Sequence, residues 1–163
     1  MKKTIFIVLL LTTSLFALND WQKGLLWQNE FNDGIQVAKY KRKPIFLFLD
    51  SRTCFYCPKL KAEVLSHPKF QEKIKKYFTP MYLDNSTDYD SDVENTGQVP
   101  SRLSVSMTPA IYFMGPNEEK LARRGKKHMI IYGMWNIDQM LEWMDDAIAK
   151  FEKSYGDKYD YKK

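Results

Sequence analysis

The only two cysteines of the chain lie three positions apart, at Cys54 and Cys57. An uninterrupted apolar run at residues 44–49 precedes them, and apolar residues at helical spacing follow. A strand that gives way to a helix brings both sulfurs near a helix N-terminus, where unpaired N–H groups and the helix dipole favour a thiolate. A bridge enclosing two residues restrains little of the unfolded chain, so it adds little stability. The spacing therefore indicates reversible exchange chemistry rather than a structural crosslink.

The N-terminal residues have the pattern of a secretory signal peptide. Two lysines precede an apolar run at residues 5–11, and Ala17 follows as a small residue suited to cleavage. The run is too short for a comfortable membrane span, although an uncleaved N-terminal anchor remains open. Export implies an oxidising compartment. The expected division of the chain is a signal peptide at residues 1–17, a single domain at residues 18–153 and a flexible polar tail at residues 154–163.

The charge of the chain is mildly positive. Its formal net charge is +5 at pH 7, and loss of the two signal-peptide lysines lowers that to +3. Such an excess does not indicate a nucleic-acid-binding protein. Basic clusters at residues 39–43 and 123–127 are typical of solvated turns and helix ends.

Apolar periodicity predicts alternating strands and helices. Residues 44–49 are typical of a central strand buried on both faces, and residues 80–83 of a second strand that completes a right-handed βαβ unit. Before the first strand, the pattern predicts a helical lead-in at residues 20–31, which Asn32-Asp33-Gly34 ends, and a short helix at residues 34–43. Between the two strands it predicts a helix capped by Thr53 and a helix that begins on Pro68. After the second strand it predicts a hairpin of Ala110–Met114 with a strand between residues 121 and 133, and a final helix at residues 137–151 with a capping box of Asn136 and Gln139.

The order of these motifs resembles the thioredoxin fold, and within it the exported thioredoxin-like proteins. Lys43-Pro44 precedes the first strand, the cysteine pair follows it, and Thr108-Pro109 precedes the hairpin. The stretch at residues 63–68 also falls where such proteins have its counterpart, and the resemblance covers about residues 27–151. It implies an α/β protein of the thioredoxin fold, with a central mixed β-sheet flanked by helices and, here, an N-terminal helical extension.

The resemblance also implies a role for each residue of the site. Cys54 would be the nucleophile that attacks a substrate disulfide, and Cys57 the thiol that resolves the mixed disulfide. Pro109 would be a cis proline facing the cysteines, and Thr108 would offer backbone hydrogen bonds to an extended substrate. The redox-active disulfide itself does the chemistry, so no separate cofactor is implied. The implied partners are cysteine-containing exported proteins and a thiol–disulfide redox partner, with no nucleic acid and no stable membrane span after signal cleavage.

The chain differs from thioredoxin in the position of the acidic residue near the cysteines. Phe48 stands where thioredoxin carries a buried acid in the central strand, and Asp50, four residues before Cys54, is the only nearby carboxylate. If Asp50 lies close to the sulfurs, we expect it either to oppose thiolate formation or to assist proton transfer.

The residues beside the cysteines are apolar and aromatic. Phe55 and Tyr56, together with Met107, would form an apolar rim suited to unfolded or extended polypeptide. The alternative for Phe55 and Tyr56 is ordinary packing against the lead-in segment. Pro58 lacks an N–H, so we expect it to leave the carbonyl of Cys54 without a helical partner.

Two classes of function fit these features. The first is a periplasmic thiol–disulfide oxidoreductase for exported proteins, acting as an oxidant, a general reductant or a dedicated reductant for cytochrome c maturation or similar clients. The second is a non-catalytic module that holds a peptide beside Pro109. Direction, redox potential, electron donor and oligomeric state are left open. No metal is expected, because two cysteines supply half of a zinc set, and acidic residues 88–94 lack the glycine and final glutamate of a calcium loop.

Overall fold

The fold is built around a four-stranded mixed β-sheet. The computed structural model describes residues 20–85, 99–100, 103, 105–121 and 130–156. Its elements in chain order are a 3-10 turn (Asp20–Gln22), α1 (Phe31–Lys41), β1 (Ile45–Asp50), α2 (Cys57–Leu60), a π-helical turn (Lys61–Leu65), α3 (Pro68–Tyr77), β2 (Thr79–Asp84), β3 (Ala110–Met114), β4 (Ile130–Tyr132) and α4 (Ile137–Tyr155). The strand order is β2-β1-β3-β4, with β1 parallel to β2 and antiparallel to β3, and β4 antiparallel to β3.

Strand β1 is covered on both faces, which confirms the interpretation of its continuous apolar run. All six of its residues are buried. Because successive side chains of a strand point to opposite faces, Phe46 and Phe48 pack with α2, α3 and α4, whereas Leu47 and Leu49 pack with α1. Helices therefore flank the sheet as expected, and the carboxyl end of β1 opens towards the cysteines.

Several local signals have the predicted outcome. Helix α3 begins at Pro68, and the Nδ1 atom of His67 accepts a hydrogen bond from the N–H of Lys69. Asn136 and Gln139 form the capping box of α4. The predicted strands appear as β2 and β3, and the hairpin partner of β3 is β4. Helix α4 ends at Tyr155, so it includes the first residues that the sequence pattern assigns to the polar tail.

The N-terminal segment is not the helical lead-in that its apolar spacing predicts. Only its first residues form a 3-10 turn, and the chain then meets the open edge of β2 at a single parallel bridge, between Gln28 and Met81. The N–H of Gln28 donates to the carbonyl of Pro80 at 2.9 Å, and the N–H of Tyr82 donates to the carbonyl of Gln28 at 2.9 Å. The reason is that an unpaired strand edge offers backbone partners which a separate helix could not use. The segment thus packs on the domain as expected, but its only helical part is the 3-10 turn at Asp20–Gln22.

Helix α1 begins earlier than predicted, and the Asn-Asp-Gly signal does not end the lead-in. The helix starts at Phe31 and runs through Gly34. A Cβ added at Gly34 would collide with the side chain of Met81. The glycine therefore serves the close approach of α1 to β2 rather than a turn. The helix ends at Lys41, and its C-cap residue, Arg42, lies in the left-handed region with φ 54°.

The helix after β1 begins at Cys57 and not after Thr53. Tyr56 occupies the N-cap position and makes no side-chain capping hydrogen bond. Pro58 lies in the first turn, where its missing N–H removes no helical hydrogen bond. Cys54 precedes the helix, so its carbonyl lies outside the helical hydrogen-bond ladder.

Some sequence predictions fall outside the described residues. These are the signal peptide, most of the acidic loop with its possible calcium ligands, the basic cluster at residues 123–127 and the end of the tail. Within the described ranges, no helix is both long enough and apolar enough to cross a membrane.

Candidate functional site

Cys54 and Cys57 are joined in a disulfide at the carboxyl end of β1. Cys54 lies in the turn before α2 and is 8% exposed, whereas Cys57, the first residue of α2, is 1% exposed. The N–H of Cys57 donates to Sγ of Cys54 at 3.1 Å. A sulfur that accepts a backbone N–H at the start of a helix is stabilised as a thiolate once the bond is reduced. The geometry thus favours Cys54 as the ionised member of the pair.

An open pocket of about 840 Å³ reaches Cys54 from solvent. Cys57 does not line it, so an incoming sulfur would meet Cys54 first. The lining residues come from the turn after β1, the end of β2, the loop before β3 and the end of β4: Ser51, Arg52, Thr53, Cys54, Phe55, Tyr56, Asn85, Val105, Ser106, Met107, Thr108, Tyr132 and Gly133.

The predicted apolar residues stand at the mouth of this pocket. Phe55 is 85% exposed, Met107 60% and Tyr56 49%. The rings of Phe55 and Tyr56 meet edge to face, with centroids 5.1 Å apart. Such exposure contradicts the alternative that the two rings pack against the lead-in segment. Tyr132, 37% exposed, joins the same pocket from β4, and sequence reasoning missed it because nothing local marks a residue of an edge strand as facing a distant turn.

The loop before β3 is attached to the cysteine turn. The peptide bond between Thr108 and Pro109 is cis, as the family resemblance implied. The hydroxyls of Ser51 and Thr108 hydrogen-bond at 2.6 Å. On the other side, the Asn85 side-chain amide donates to the carbonyl of Val105 at 2.9 Å. These bonds bring Met107 and Thr108 beside Cys54 on the wall of the pocket.

A buried carboxylate lies behind the disulfide. Asp50, the last residue of β1, is 7% exposed, and its carboxylate and both sulfurs lie within 4.8 Å of one another. One of its oxygens accepts the N–H of Ser51 at 2.7 Å. The other accepts the ammonium of Lys61 at 2.5 Å and the hydroxyl of Tyr82 at 3.2 Å. Of these three side chains, Asp50 was singled out from the sequence, whereas Lys61 and Tyr82 were not.

Aromatic rings lie around the ammonium of Lys61 where it pairs with Asp50. Its ammonium lies 5.2, 5.7 and 5.1 Å from the ring centres of Trp21, Phe48 and Tyr82. Burial first, and then the charge of Asp50, raise the pKa of Tyr82 far above its ordinary value. Tyr82 is therefore a neutral hydrogen-bond donor at physiological pH, and the ammonium of Lys61 balances the charge of the carboxylate.

This arrangement suits redox chemistry better than metal binding. Asp50, Cys54 and Cys57 offer three ligand atoms close together. However, the carboxylate is already paired with an ammonium, and the two sulfurs are bonded to each other. Nδ1 of His67 is occupied as the cap of α3, where it accepts the N–H of Lys69.

Comparisons with known proteins match the chain to a protein family and to a relative of low sequence identity. A family model described as a thioredoxin-like domain matches residues 31–148. An uncharacterized protein of Archaeoglobus fulgidus is 28% identical over 75 residues, which are 46% of this chain and 57% of that protein. The chain thus spans less than two thirds of the length of this relative.

Solved structures with the same fold are similar over most of the chain. A thioredoxin from Thermus thermophilus has a TM-score of 0.59 at 16% identity and covers 83% of this chain and 96% of its own. A DsbH oxidoreductase has a TM-score of 0.54 at 15% identity, with 77% and 85% covered. The oxidised C-terminal domain of Neisseria meningitidis DsbD has a TM-score of 0.51 at 13% identity, with 71% and 90% covered. At these identities the likeness establishes the fold.

Proposed function

Since the chain belongs to the thioredoxin-like family, we propose that it is a thiol–disulfide oxidoreductase that exchanges its Cys54–Cys57 pair with cysteines of exported proteins. The observation that carries the proposal is the disulfide itself, with Cys54 open to a pocket and Cys57 behind it. The redox-active group is this disulfide, so the exchange needs no external cofactor.

In the reducing direction, the cycle begins with the dithiol form. The Cys54 thiolate attacks one sulfur of a client disulfide, a mixed disulfide forms, and the second client sulfur leaves as a thiolate that takes up a proton. Cys57 then loses its proton and attacks Sγ of Cys54, which releases the first client sulfur as a thiolate. The client gains two electrons and two protons, and the Cys54–Cys57 bond closes. The same steps in reverse oxidise a client dithiol.

Asp50 is the group that we assign to the proton of Cys57. Its carboxylate lies within 4.8 Å of that sulfur, and almost no solvent reaches Cys57 directly. A buried thiol needs a nearby acceptor before it can attack, because the thiolate is the nucleophile. Lys61 balances the charge of Asp50, which reduces the repulsion that a bare carboxylate would exert on a thiolate.

The clients that fit the pocket are extended or unfolded polypeptides. The exposed rings of Phe55 and Tyr56 and the side chain of Met107 give apolar contact area around Cys54. Thr108 lines the same pocket and precedes the cis Pro109, and we assign the Thr108 backbone to hydrogen bonding with the client strand. The signal-like residues 1–17 support a location in the periplasm, where cytochrome c precursors are one class of client with a CxxC pair.

Reduction of insulin in the presence of dithiothreitol tests the exchange function. Wild-type protein is expected to accelerate precipitation of the insulin B chain, and Cys54→Ser is expected to abolish the acceleration. If Cys54→Ser matches wild type, the enzyme interpretation fails and the peptide-binding alternative gains. A glutathione redox titration of the purified protein then separates the two directions, because a potential near that of a strong oxidant excludes a reductant and a strongly negative one excludes an oxidase.

A further inference from the structure

The N-terminal segment contributes a side chain to the surroundings of the redox pair. Trp21 is 3% exposed, and its ring lies 5.1 Å from that of Tyr82 and 5.9 Å from that of Phe48. Gln71 of α3 donates its side-chain N–H to the carbonyl of Trp21 at 2.7 Å. The backbone of the 3-10 turn is therefore held on the domain, and the ring is held over the face of the sheet that bears Asp50.

Trp21 contacts Lys61 through the face of its ring rather than through its indole N–H. Among the described residues, its buried indole N–H has no acceptor. The ammonium of Lys61 lies 5.2 Å from the ring centre, within the range of a cation–π contact. The same ammonium is paired with Asp50, and the Lys61 side chain is only 21% exposed. Trp21 thus contacts the ammonium that is paired with Asp50.

The described groups that meet at this pair come from three elements. Asp50 belongs to β1, Tyr82 to β2 and Lys61 to the π-helical turn, and Asp84 acts on Tyr82 by its charge. The sulfurs of Cys54 and Cys57 lie beside the carboxylate. If Lys61 turned away into solvent, Asp50 would face the sulfurs without its counter-charge, and a thiolate there would be disfavoured.

We propose that Trp21 is a positioning residue for the redox site, and that its ring holds the ammonium of Lys61 on Asp50 so that the N-terminal segment sets how readily Cys54 ionises. The inference rests on the proposed exchange function in one respect: ionisation of Cys54 affects activity only if the protein exchanges disulfides. The segment before α1 is then part of the redox device and not only an addition to the fold.

The test measures alkylation of the reduced protein by iodoacetamide as a function of pH. Trp21→Leu keeps an apolar side chain but removes the ring, so we expect alkylation of Cys54 at pH 7 to slow by about threefold and its pH midpoint to rise. Trp21→Phe restores a ring face and is expected to recover most of the wild-type rate. Trp21→Met is a second ring-free variant that adapts to the cavity if the leucine variant does not fold.

Two comparisons separate the positioning role from a general loosening of the segment. Trp27→Leu is the matched control, since Trp27 packs on Trp21 and Phe46 at centroid distances of 4.8 and 6.1 Å. It is expected to lower stability without moving the pH midpoint. In a Lys61→Met background, Trp21→Leu is expected to cause no further shift, because the group through which it acts is already gone.

Three results would overturn the proposal: an unchanged midpoint in folded ring-free variants, equal behaviour of the leucine and phenylalanine variants, or an undiminished effect in the Lys61→Met background. The alkylation assay needs no client. Failure of wild-type protein to accelerate insulin reduction would therefore contradict the exchange function, whereas the alkylation rates of the variants could still be compared.

Discussion

The ammonium of Lys61 and the carboxylate of Asp50 meet at 2.5 Å behind the Cys54–Cys57 disulfide. Their side chains are 21% and 10% exposed. The two residues reach each other from a π-helical turn and from the end of β1, so the pair connects the helical layer to the central strand. Asp50 lies two residues after Phe48 on β1, and it is buried within 4.8 Å of both sulfurs.

We expect Asp50→Asn to slow the second step of the exchange more than the first. An amide cannot accept the proton of Cys57, so the mixed disulfide with a client should persist. The variant should also be less stable by about 1–3 kcal/mol, because it leaves the partly buried ammonium of Lys61 unpaired. This range is lower than for a fully buried ion pair, because solvent still reaches Lys61. The measurements are the amount of trapped mixed disulfide after acid quenching, and urea unfolding.

The control for this prediction is Asp145→Asn. Asp145 pairs with Lys73 on the surface at 2.6 Å, and its side chain is 64% exposed. Its replacement should leave exchange unchanged and stability nearly so. Resolution of the mixed disulfide at the wild-type rate in Asp50→Asn would remove Asp50 from the mechanism.

Tyr82 should resist ionisation in the folded protein. Burial and the charge of Asp50 raise its pKa, so its folded pKa lies above its unfolded value near 10. The native state then holds a proton that the unfolded state releases, and stability must fall as pH rises above about 10. Absorbance at 295 nm, followed to high pH, should show a tyrosine that ionises only on unfolding, and Tyr82→Phe should lack it. Smooth titration of Tyr82 with the exposed tyrosines would contradict its burial against Asp50.

The parts of the site that depend on short stretches of sequence could be predicted. The cysteine spacing, the apolar strand before it and the capping residues of α3 and α4 are all local signals, and the cis bond before Pro109 followed from the family resemblance. Asp50 was noticed because it lies four residues from Cys54. Each of these features needs only a few neighbouring residues for its recognition.

The rest of the site depends on long-range register and could not be predicted. Lys61 reaches Asp50 from a helical turn with an i to i+5 hydrogen bond, in which the N–H of Ser66 donates to the Lys61 carbonyl. Tyr82 is brought beside β1 by the pairing of Phe48 with Tyr82. Trp21 has helical spacing to its apolar neighbours, yet the segment forms only a 3-10 turn and then pairs with the edge of β2 at Gln28. Backbone partners at that edge outweigh local periodicity.

The apolar mouth of the pocket should govern client affinity. Phe55→Ala is expected to raise KM for an aromatic-flanked peptide disulfide several-fold while kcat changes little, because the ring contributes contact area and not chemistry. Tyr40→Ala is the matched control, since Tyr40 is 88% exposed on α1 and does not line the pocket. Steady-state kinetics with the peptide measure both. Equal effects of the two substitutions would show that contact at Phe55 is not used.

The hydrogen bond between Ser51 and Thr108 should hold the loop before β3 in its working position. The two hydroxyls are 2.6 Å apart and join segments 57 residues distant in the chain. We expect Ser51→Ala and Thr108→Val each to cost about 0.5–1.5 kcal/mol of stability and to lower kcat/KM for peptide disulfides. Because each substitution removes the same bond, the double variant should be little worse than either single one. Urea unfolding and kinetics of the three variants test this, with Ser66→Ala as the control, since Ser66 donates to the Lys61 carbonyl and does not touch the loop. Additive losses in the double variant would mean that the hydroxyls act separately and that the loop is held by other contacts.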